Sequence, residues 1–491
     1  MAIYEAVVTT GIYCRPGCPG QPKPDNVRWF PTAAAAEAAG YRACLRCRPY
    51  RLEPPAPWDD SEVVCRAVRL IVDGFLDRGD EPRLAARVGV SDRHLRRLFA
   101  AQLGVTPDGL AKSRRAHFAR RLLDDTDLTI TDIAFASGFG SVRQLNRVMT
   151  EVFRAPPSEL RRRRRNADRL VADGGLSLRL PTTGPVDWAA TARYLAARAI
   201  PGVESVEGDI YRRTVVIEGD PGVLELGPGG PDHLRLRAHL PHWDGLIHVA
   251  AGARRLAGVD VDLTEALAAL EPDPVLGPLF ARRPGLRVPG TWDPWETGVR
   301  AIVGQHVSVA AASTFAGRIV AACGAPVAGL AAWGLTHTFP TAERLAEADL
   351  AAVGLTTKRA AAVRTFAAAV RDDAIRLDGS VGLDTLVASV AALPGLGEWT
   401  GQYLALRMGE RDAFPAGDLG LRKAWAALTS NSSDTALAAA AERWRPWRAL
   451  AAVHLWATAA EPLPLPADRA VERPPAGATR AIAAESLPLP G

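Results

Sequence analysis

Four of the six cysteines lie close together near the start of the chain, and their spacing limits what this region can fold into. Three residues lie between Cys14 and Cys18, two lie between Cys44 and Cys47, and 25 residues separate the pairs. In a reducing compartment, cysteine pairs at such spacing bind zinc more often than they form disulfides. Four thiolates complete a tetrahedral Zn²⁺ shell, and a unit of about 50 residues has too small a core to fold without such a link. The spacing therefore predicts one Zn²⁺ site, and a purely structural role is its simplest interpretation.

The length and charge of the chain set the next limits. At 491 residues it is too long for one hydrophobic core, so we expect three or four domains. Within residues 1–165, 28 Lys and Arg outnumber 19 Asp and Glu, and the remainder is slightly acidic, so the front of the chain should meet a polyanion. No apolar stretch could span a bilayer, and the first ten residues lack a secretory signal. We therefore expect a cytoplasmic protein with no membrane partner.

The residues around the cysteines are more specific than their spacing. T-T-G-I-Y-C-R-P-G-C and A-A-G-Y-R-A-C-L-R-C, within residues 3–52, resemble the amino-terminal domain of the Ada DNA-alkylation sensors. The resemblance implies that Cys14 accepts a methyl group from a methylphosphotriester in DNA, while Cys18, Cys44 and Cys47 remain zinc ligands. Zinc would keep the sulfur a nucleophilic thiolate, and methylation would halve the site's net negative charge, which should strengthen DNA binding. A leading helix of the family is expected to be missing before Cys14.

Residues 82–103 and 129–153 repeat one pattern: a short helix, a glycine turn, a serine that can cap the next helix, and a second amphipathic helix. A longer helix is predicted between them, from Asp108 to Leu123. This order is typical of two helix-turn-helix units, although a helical bundle with a solvated basic face would give a similar pattern. With the closing sequence F-R-A-P-P-S-E-L-R, the region resembles the AraC-type DNA-binding domain. The resemblance implies double-stranded promoter DNA and RNA polymerase as partners.

The second helix of a helix-turn-helix unit enters the major groove, where its first turns meet base edges. Arginine suits guanine, and asparagine or glutamine suits adenine. The candidate DNA-binding residues are therefore Arg93, His94, Arg96 and Arg97 in the first unit and Val142, Arg143, Gln144, Asn146 and Arg147 in the second. The five arginines at 161–165 are expected to contact phosphates or solvent without reading sequence.

The second half of the chain begins with alternating runs and helical stretches from residue 176 to about 280, which predict an α+β unit. The sequence that follows is almost entirely helical in pattern, with one glycine-rich turn, L-P-G-L-G-E-W-T-G at 393–401. The backbone amides of such a turn, at Gly395, Gly397 and Thr400, can face a DNA phosphate. On its own, the turn predicts only a non-specific DNA-binding element.

A carboxylate follows this turn in F-P-A-G-D-L-G at 414–420. By itself Asp418 would be interpreted as the N-cap of the next helix. The turn and the acid together resemble the helix-hairpin-helix glycosylase superfamily. The sequences W-E-T-G-V-R-A-I-V-G-Q at 295–305, A-E-R-W-R-P-W-R at 441–448 and H-L-W at 454–456 are similar to the AlkA-type 3-methyladenine glycosylases. The resemblance extends to the α+β unit.

The resemblance implies how an alkylated base would be removed. The base is already a cationic leaving group, and a carboxylate at the anomeric carbon, Asp418, can stabilise the oxocarbenium-like sugar and supply water. Trp399, Tyr403 and Trp456 match a pocket in which the everted, electron-deficient base stacks on aromatic rings, although core packing is the ordinary role of any one tryptophan. His306 matches the position of the wedge side chain that fills the gap in the duplex.

The resemblance also sets limits on the chemistry. Bifunctional relatives carry a Schiff-base lysine where this chain has Trp399, so we expect base removal without strand cleavage. No cysteine follows Cys323, which excludes the iron–sulfur loop of some relatives, and Cys65 and Cys323 are expected to be packing residues. No motif for a second, base-directed methyltransferase is present. The family hairpin can hold a monovalent cation through carbonyls that match Ala391, Leu393 and Leu396.

We therefore predict a multidomain, mainly α protein. Its expected parts are a small zinc-bound domain at 1–52, a proline-rich linker at 53–57, an all-α double helix-turn-helix domain at 58–165, an AlkA-type N-terminal α+β domain at 176–285, an all-α helix-hairpin-helix glycosylase domain at 286–464, and a tail at 465–491. The favoured hypothesis is an alkylation-damage response protein that senses methylated DNA phosphates, binds a promoter and excises alkylated bases. The alternative is a transcription regulator whose inactive glycosylase fold only binds DNA. Asp418 beside an open aromatic pocket would favour the enzyme.

Overall fold

The computed structural model describes residues 4–20, 22–51, 62–164, 175–430 and 433–460. The predicted linker at 53–57, Arg165 and the predicted tail lie outside the described residues. The chain is multidomain and mainly helical with two sheets, which confirms the predicted fold class. Among the described helices, none is long and apolar enough to cross a membrane.

The cysteine-rich region is a small sheet with one helix. Its elements are β1 (Tyr4–Val7), β2 (Ile12–Cys14), β3 (Val27–Phe30), α1 (Ala33–Ala38) and β4 (Arg42–Ala43). The strand order is β3-β1-β2-β4, and β2 and β4 are parallel. Helix α1 begins after Thr32, whose hydroxyl accepts a hydrogen bond from the Ala35 amide at 3.0 Å. This cap satisfies a backbone donor that the first turn leaves free.

The next region contains the two predicted helix-turn-helix units. Its helices are α2 (Glu62–Val72), α3 (Phe75–Arg78), α4 (Glu81–Arg87), α5 (Asp92–Leu103), α6 (Pro107–Asp125), α7 (Ile130–Ala136), α8 (Val142–Phe153) and α9 (Pro157–Arg162). Ser91 and Ser141 cap α5 and α8 as predicted, because their hydroxyls accept hydrogen bonds from amides three residues ahead at 3.3 and 3.2 Å. Helix α6 confirms the predicted long helix and extends it slightly at both ends.

A buried polar cluster joins the cysteine-rich region to helix α6. The Tyr13 hydroxyl donates to Glu37 Oε1 at 2.6 Å, and His117 Nε2 lies 2.6 Å from the same oxygen. A second contact runs from the Tyr50 hydroxyl to Asp124 Oδ2 at 3.1 Å. Because buried polar groups are costly unless they are hydrogen-bonded, these pairings favour one arrangement of the two regions. Tyr13 is the residue immediately before Cys14, so the cluster lies beside the cysteines.

The α+β region follows. Its elements are β5 (Leu176–Pro181), α10 (Trp188–Arg198), β6 (Glu204–Glu207), β7 (Ile210–Ile217), β8 (Asp220–Gly230), β9 (His233–His239), α11 (Leu246–Ala257), α12 (Thr264–Leu270) and α13 (Leu276–Arg282). The antiparallel sheet has the order β5-β9-β8-β7-β6. The predicted strands are present, but the sequence did not predict β8, whose prolines and glycines resemble a turn. Gly227 is used here for close packing, because a Cβ would lie 2.5 Å from Ile210 Cδ1.

The last described region is helical, and its core is continuous. Its helices are α14 (Pro294–Val303), α15 (Val309–Cys323), α16 (Ala342–Glu347), α17 (Thr357–Arg371), α18 (Leu383–Ala391), α19 (Glu398–Arg407), α20 (Leu419–Thr429), α21 (Asp434–Ala441) and α22 (Arg448–Ala460). Helices α18 and α19 form the predicted hairpin. They pack closely because Gly401 lacks a side chain, and a Cβ there would lie 2.9 Å from Val387 Cα.

Ion pairs connect the first helix-turn-helix unit to the helical region. Arg87 at the end of α4 lies 2.6 Å from Asp378 and 3.1 Å from Asp373. Arg69 on α2 pairs with Glu410 just beyond α19. Partly exposed pairs of this kind stabilise by at most about 1 kcal/mol each. They therefore orient the two regions more than they stabilise them.

We predict that Trp444→Ala destabilises the helical region by about 3–5 kcal/mol, because it removes a large buried side chain and leaves a cavity. Trp444 is fully buried, contacts Phe414 and Trp425, and donates to Asp273 at 2.9 Å. Calorimetric unfolding of the full chain measures the change. The matched control is Trp29→Ala, whose side chain is 61% exposed and which should shift unfolding by less than about 0.5 kcal/mol. Similar shifts for both variants would contradict the packing described here.

Candidate functional site

The four cysteines predicted to bind zinc lie together. Tyr13 pairs with Ala43 across the parallel strands β2 and β4, so the next residues, Cys14 at the end of β2 and Cys44 just after β4, come side by side. The two loops then bring in Cys18 and Cys47. All four sulfurs lie within 4.8 Å of one another.

This cluster has the size and chemistry of a zinc site. Tetrahedral sulfurs at a Zn–S distance of about 2.3 Å would be roughly 3.8 Å apart. The Arg46 amide donates a hydrogen bond to Cys44 Sγ at 3.4 Å, so a backbone donor faces this sulfur. Among the thiols alone, the hydrogen bond with Cys47, followed by burial, raises the pKa of Cys14, and the same hydrogen bond lowers the pKa of Cys47 to about 5. The sulfurs therefore oppose one another's ionisation, and a bound dication is the group that would allow all four to be thiolates.

The predicted DNA-reading side chains lie on two helix faces. Arg93, Arg96, Arg97, Arg143 and Arg147 are exposed, and His94, Val142, Gln144 and Asn146 are half-buried. Five of these side chains are engaged within the protein. Arg96 pairs with Glu81 and Asp92, and Arg97 Nη2 lies 2.9 Å from His94 Nδ1. The Gln144 amide oxygen accepts from the Gly140 amide at 2.9 Å, and the Asn146 amide donates to the Val142 carbonyl. The remaining arginines present donors to solvent at the start of α5 and α8, which is where a major-groove helix needs them.

Asp418 lies at the start of α20, in a half-exposed position, and its carboxylate accepts four N–H groups. Oδ1 accepts from the amides of Gly420 and Leu421 at 2.8 and 3.1 Å, which makes Asp418 the N-cap of α20. Oδ1 also accepts from Trp456 Nε1 at 2.8 Å, and Oδ2 accepts from Trp399 Nε1 at 3.2 Å. The two indoles therefore fix the direction of the carboxylate.

The three predicted pocket aromatics form one cluster around this carboxylate. The rings of Trp399 and Tyr403 stack, with centroids 5.5 Å apart and an interplanar angle of 13°. Tyr403 and Trp456 meet edge to face at 6.2 Å. All three rings and Asp418 are partly exposed, so the cluster is open to solvent. An electron-deficient planar group could stack on these faces beside the carboxylate.

The residues of the turn between α18 and α19 differ in which of their groups are accessible. Gly395 has a left-handed backbone (φ +83°), which permits the tight turn, and no atom approaches the position of a Cβ on Gly397. Thr400 is only 2% exposed, and its hydroxyl accepts a hydrogen bond from Gln305 Nε2 at 3.1 Å. The hydroxyl therefore holds the hairpin to the turn after α14, and the predicted contact of the Thr400 backbone amide with a DNA phosphate stays a prediction.

His306 projects from that same turn. It is exposed and has a left-handed backbone (φ +57°), which is uncommon outside glycine. The neighbouring Gln305 is fixed from two sides, because its carbonyl accepts from Arg359 at 2.7 Å and its amide contacts Thr400. The loop therefore holds the imidazole away from the protein surface.

Sequence reasoning missed two residues behind the aromatic cluster. Arg407 donates to the hydroxyls of Tyr194 and Tyr403 at 3.0 and 3.2 Å. Arg407 stands four positions after Tyr403, on the same face of α19, so helical spacing could have indicated it. Tyr194 comes from α10 in the α+β region, and no sequence signal links it to the site.

Four protein-family profiles match the chain. They are the metal binding domain of Ada at residues 2–50, a helix-turn-helix domain at 84–163, the AlkA N-terminal domain at 177–293, and the HhH-GPD superfamily of base excision DNA repair proteins at 299–449.

Similar proteins cover the whole chain or its second half. A Mycobacterium tuberculosis protein described as a probable bifunctional transcriptional activator/DNA repair enzyme AlkA is 42% identical over 463 residues, which are 93% of each chain. DNA-3-methyladenine glycosylase 2 of Escherichia coli is 33% identical over 283 residues, 56% of this chain and 94% of that one. A solved 3-methyladenine DNA-glycosylase from Archaeoglobus fulgidus shares the fold, with a TM-score of 0.51 and 21% identity over 58% of this chain and 98% of that one. The chain therefore belongs to the family of bifunctional proteins that join an Ada-type metal-binding domain and a helix-turn-helix domain to an AlkA-type glycosylase.

Proposed function

We propose that this chain is an alkylation-damage response protein that excises alkylated bases at Asp418, accepts a methyl group at Cys14, and binds promoter DNA through its helix-turn-helix units. The observation that carries the proposal is the Asp418 carboxylate, held between the indoles of Trp399 and Trp456 in an open aromatic cluster. A fold kept only for DNA binding would not need an acid oriented in this way. The regulator-only alternative is therefore the weaker one.

Base excision follows from the charge of each participant. The bond between the sugar and the alkylated base breaks with its electron pair going to the base, which leaves as a neutral molecule. Positive charge develops on the sugar, and the Asp418 carboxylate stabilises that charge at close range. Water then adds to the anomeric carbon, and Asp418 is the acceptor for its proton. The four donors to Asp418 fix its direction before the reaction, so little reorganisation is needed.

The surrounding side chains hold the everted nucleotide. The rings of Trp399, Tyr403 and Trp456 offer faces on which a cationic base can stack. His306, on its left-handed turn, is placed to occupy the gap that the base leaves in the duplex. The hairpin amides at Gly395 and Gly397 bind the phosphate backbone. With a tryptophan at position 399, no amine attacks the sugar, so the product is an abasic site in an intact strand.

Methyl transfer uses the cysteine cluster. Cys14, Cys18, Cys44 and Cys47 would hold one Zn²⁺, which keeps the sulfurs as thiolates when bound. The Cys14 sulfur attacks the methyl carbon of the phosphotriester, the C–O bond breaks, and its electrons remain on the phosphate as a diester anion. The site then carries one negative charge fewer, so its repulsion of DNA falls. Half-buried Cys14 can meet such a substrate, whereas Cys44 is buried.

The helix-turn-helix units would convert this change into regulation. The exposed arginines of α5 and α8 bind the promoter. We propose that the promoter-bound protein then contacts RNA polymerase. We also propose that the hairpin holds a monovalent cation through the carbonyls of Ala391, Leu393 and Leu396. One of these, the Leu393 carbonyl, accepts a hydrogen bond from the Leu396 amide at 3.1 Å and keeps a lone pair for such an ion.

Asp418→Asn should lower the single-turnover release of 3-methyladenine from methylated duplex DNA by at least about 100-fold, because the anionic charge at the reacting sugar is lost. Asparagine caps a helix as well as aspartate does, so α20 should remain folded. The matched control is Asp384→Asn on the exposed face of α18, which should keep the wild-type rate. Equal release by Asp418→Asn and the wild type would remove Asp418 from the mechanism. Strand breaks in the wild-type product would contradict the monofunctional reaction.

Cys14→Ala should abolish the uptake of a labelled methyl group from a methylphosphotriester duplex and weaken zinc retention, because it removes both the acceptor and one of four ligands. Mass spectrometry of the protein and zinc release to a chelator measure the two effects. Cys65→Ala is the control and should behave as the wild type. Label on the Cys14→Ala protein would assign methyl acceptance to another residue.

Arg143→Ala should weaken binding to a duplex selected from random sequences by the wild-type chain by about 1–3 kcal/mol, or roughly 5- to 150-fold in Kd, and relax the preference at one base position. Titration at fixed salt measures the affinity. Arg78→Ala is the control, since Arg78 lies on α3, outside the recognition helices, and pairs with Glu218. An unchanged Kd for Arg143→Ala would exclude α8 as a base-reading helix.

A further inference from the structure

Behind the aromatic cluster lies a buried cation whose described hydrogen-bond partners are carbonyl and phenol oxygens, with no carboxylate among them. Arg407 is 5% exposed. Its Nε and Nη2 donate to the carbonyls of Pro289 and Gly290 at 2.8 and 2.6 Å, and Nη1 donates to the hydroxyls of Tyr194 and Tyr403 at 3.0 and 3.2 Å. Burying a charge is costly unless an opposite charge is close. The groups able to supply one at hydrogen-bond distance are the two phenols.

The nearest carboxylates have other partners. Glu204 accepts from the Tyr211 hydroxyl at 2.5 Å and from the Ile200 amide at 2.9 Å. Glu296 accepts both of its short bonds, at 2.6 and 2.9 Å, from Arg213. Arg407 therefore feels these acids only at longer range, and the two phenols are the ionisable groups within its described hydrogen bonds.

Two more arginines lie near the phenols, and the pKa values of the two phenols shift in opposite directions. Arg198 lies over the ring of Tyr194 at 3.9 Å, and Arg300 of α14 lines the same small cavity as Tyr194 and Arg407. Burial opposes the ionisation of Tyr403, but Arg407, Arg198 and Arg300 outweigh it and lower the pKa of Tyr403 to about 7. Burial raises the pKa of Tyr194. The two hydroxyl oxygens lie 3.4 Å apart and either could donate, and the raised pKa of Tyr194 favours Tyr194 as the donor.

This pair of phenols is connected directly to the proposed reaction site. The Tyr403 ring stacks on Trp399, and the Trp399 indole donates to Asp418. Tyr403 is thus a wall of the base pocket on one side and a partner of Arg407 on the other. A negative charge on the phenol oxygen spreads into the ring and makes that wall more attractive to a cation.

We propose that Arg407 and Tyr194 are positioning residues that hold Tyr403 as a phenolate, so that the pocket selects positively charged bases over neutral ones. The inference rests on the proposed excision activity and deepens it by naming the charge class of the substrate. The Tyr403 proton leaves to solvent, and the resulting anion pairs with the Arg407 guanidinium. The α+β region thereby contributes a side chain, Tyr194, to substrate choice as well as a scaffold.

The ionisation can be tested without any substrate. The near-ultraviolet absorbance of tyrosinate is followed in the full chain between about pH 5.5 and 8.5, a range in which ordinary tyrosines stay protonated. We expect one tyrosinate to form with a midpoint near pH 7 in the wild type and to be missing in Tyr403→Phe. Arg407→Gln should raise the midpoint by roughly 1–3 pH units, because an opposite charge is removed. Arg407→Lys, which keeps a cation, should partly restore it, and circular dichroism checks the fold of each variant.

Substrate choice is tested by the ratio of two excision rates. Duplexes carrying 3-methyladenine, which has a fixed positive charge, and hypoxanthine, which is neutral, are compared under single-turnover conditions. Because the phenolate is present above its pKa, the ratio of cationic to neutral excision should rise as pH increases through 7. Tyr403→Phe and Arg407→Gln should flatten this rise. Tyr194→Phe should move it to higher pH, since one donor to the phenolate is lost.

The two readouts separate the possible failures. Glu296, whose pKa burial raises to about 7, could titrate in the same range, but its ionisation gives no tyrosinate signal. A wild type with no tyrosinate below pH 8.5, or one whose signal persists in Tyr403→Phe, would overturn the inference. A rate ratio that does not change with pH would overturn the selectivity. Loss of all base excision in the wild type, with the tyrosinate intact, would instead refute the proposed function.

Discussion

The direction of one carboxylate determines how the second half of the chain is organised. Asp418 accepts two backbone amides of its own helix and two indole N–H groups, from α19 and α22. Three helices that are distant in sequence must therefore meet at one point. The closely packed hairpin of α18 and α19 and the core around Trp444 hold them there. A shift of any of the three would leave a half-buried anion without donors, which is costly.

Polar side-chain contacts across the domain boundaries fix how neighbouring regions pack. At the front, the Tyr13, Glu37 and His117 cluster places the cysteines against α6, the helix between the two helix-turn-helix units. At the back, Tyr194 of the α+β region reaches Arg407 and Tyr403. In both places a short-range polar contact crosses a boundary close to a proposed reactive residue. Cys14 therefore lies one residue from a contact with α6, the helix that connects the two helix-turn-helix units.

The candidate residues that lie in local motifs could be identified from the sequence. The cysteine spacing, the serine caps, the hairpin glycines and Asp418 each occupy a short stretch with a fixed chemical requirement. Asp418 also shows that two interpretations can hold together, since it is the N-cap of α20 and faces the aromatic rings. No prediction was made for strand β8, because its glycines and prolines are uncommon in strands and only the close packing at Gly227 explains them. The hairpin motif also did not indicate that the Thr400 hydroxyl is buried against Gln305.

The sequence by itself determined the mainly α multidomain architecture, the ligand set of the cysteine cluster and the acid with its three candidate aromatics, because these depend on spacing and residue type. Only the tertiary structure decided that the three rings meet one carboxylate and that Thr400 is buried. It also decided that a buried arginine without a hydrogen-bonded carboxylate faces two phenols, one of them from a different domain. The reason is physical: the charge state and orientation of a buried group depend on neighbours far away in the chain, and no local pattern records them.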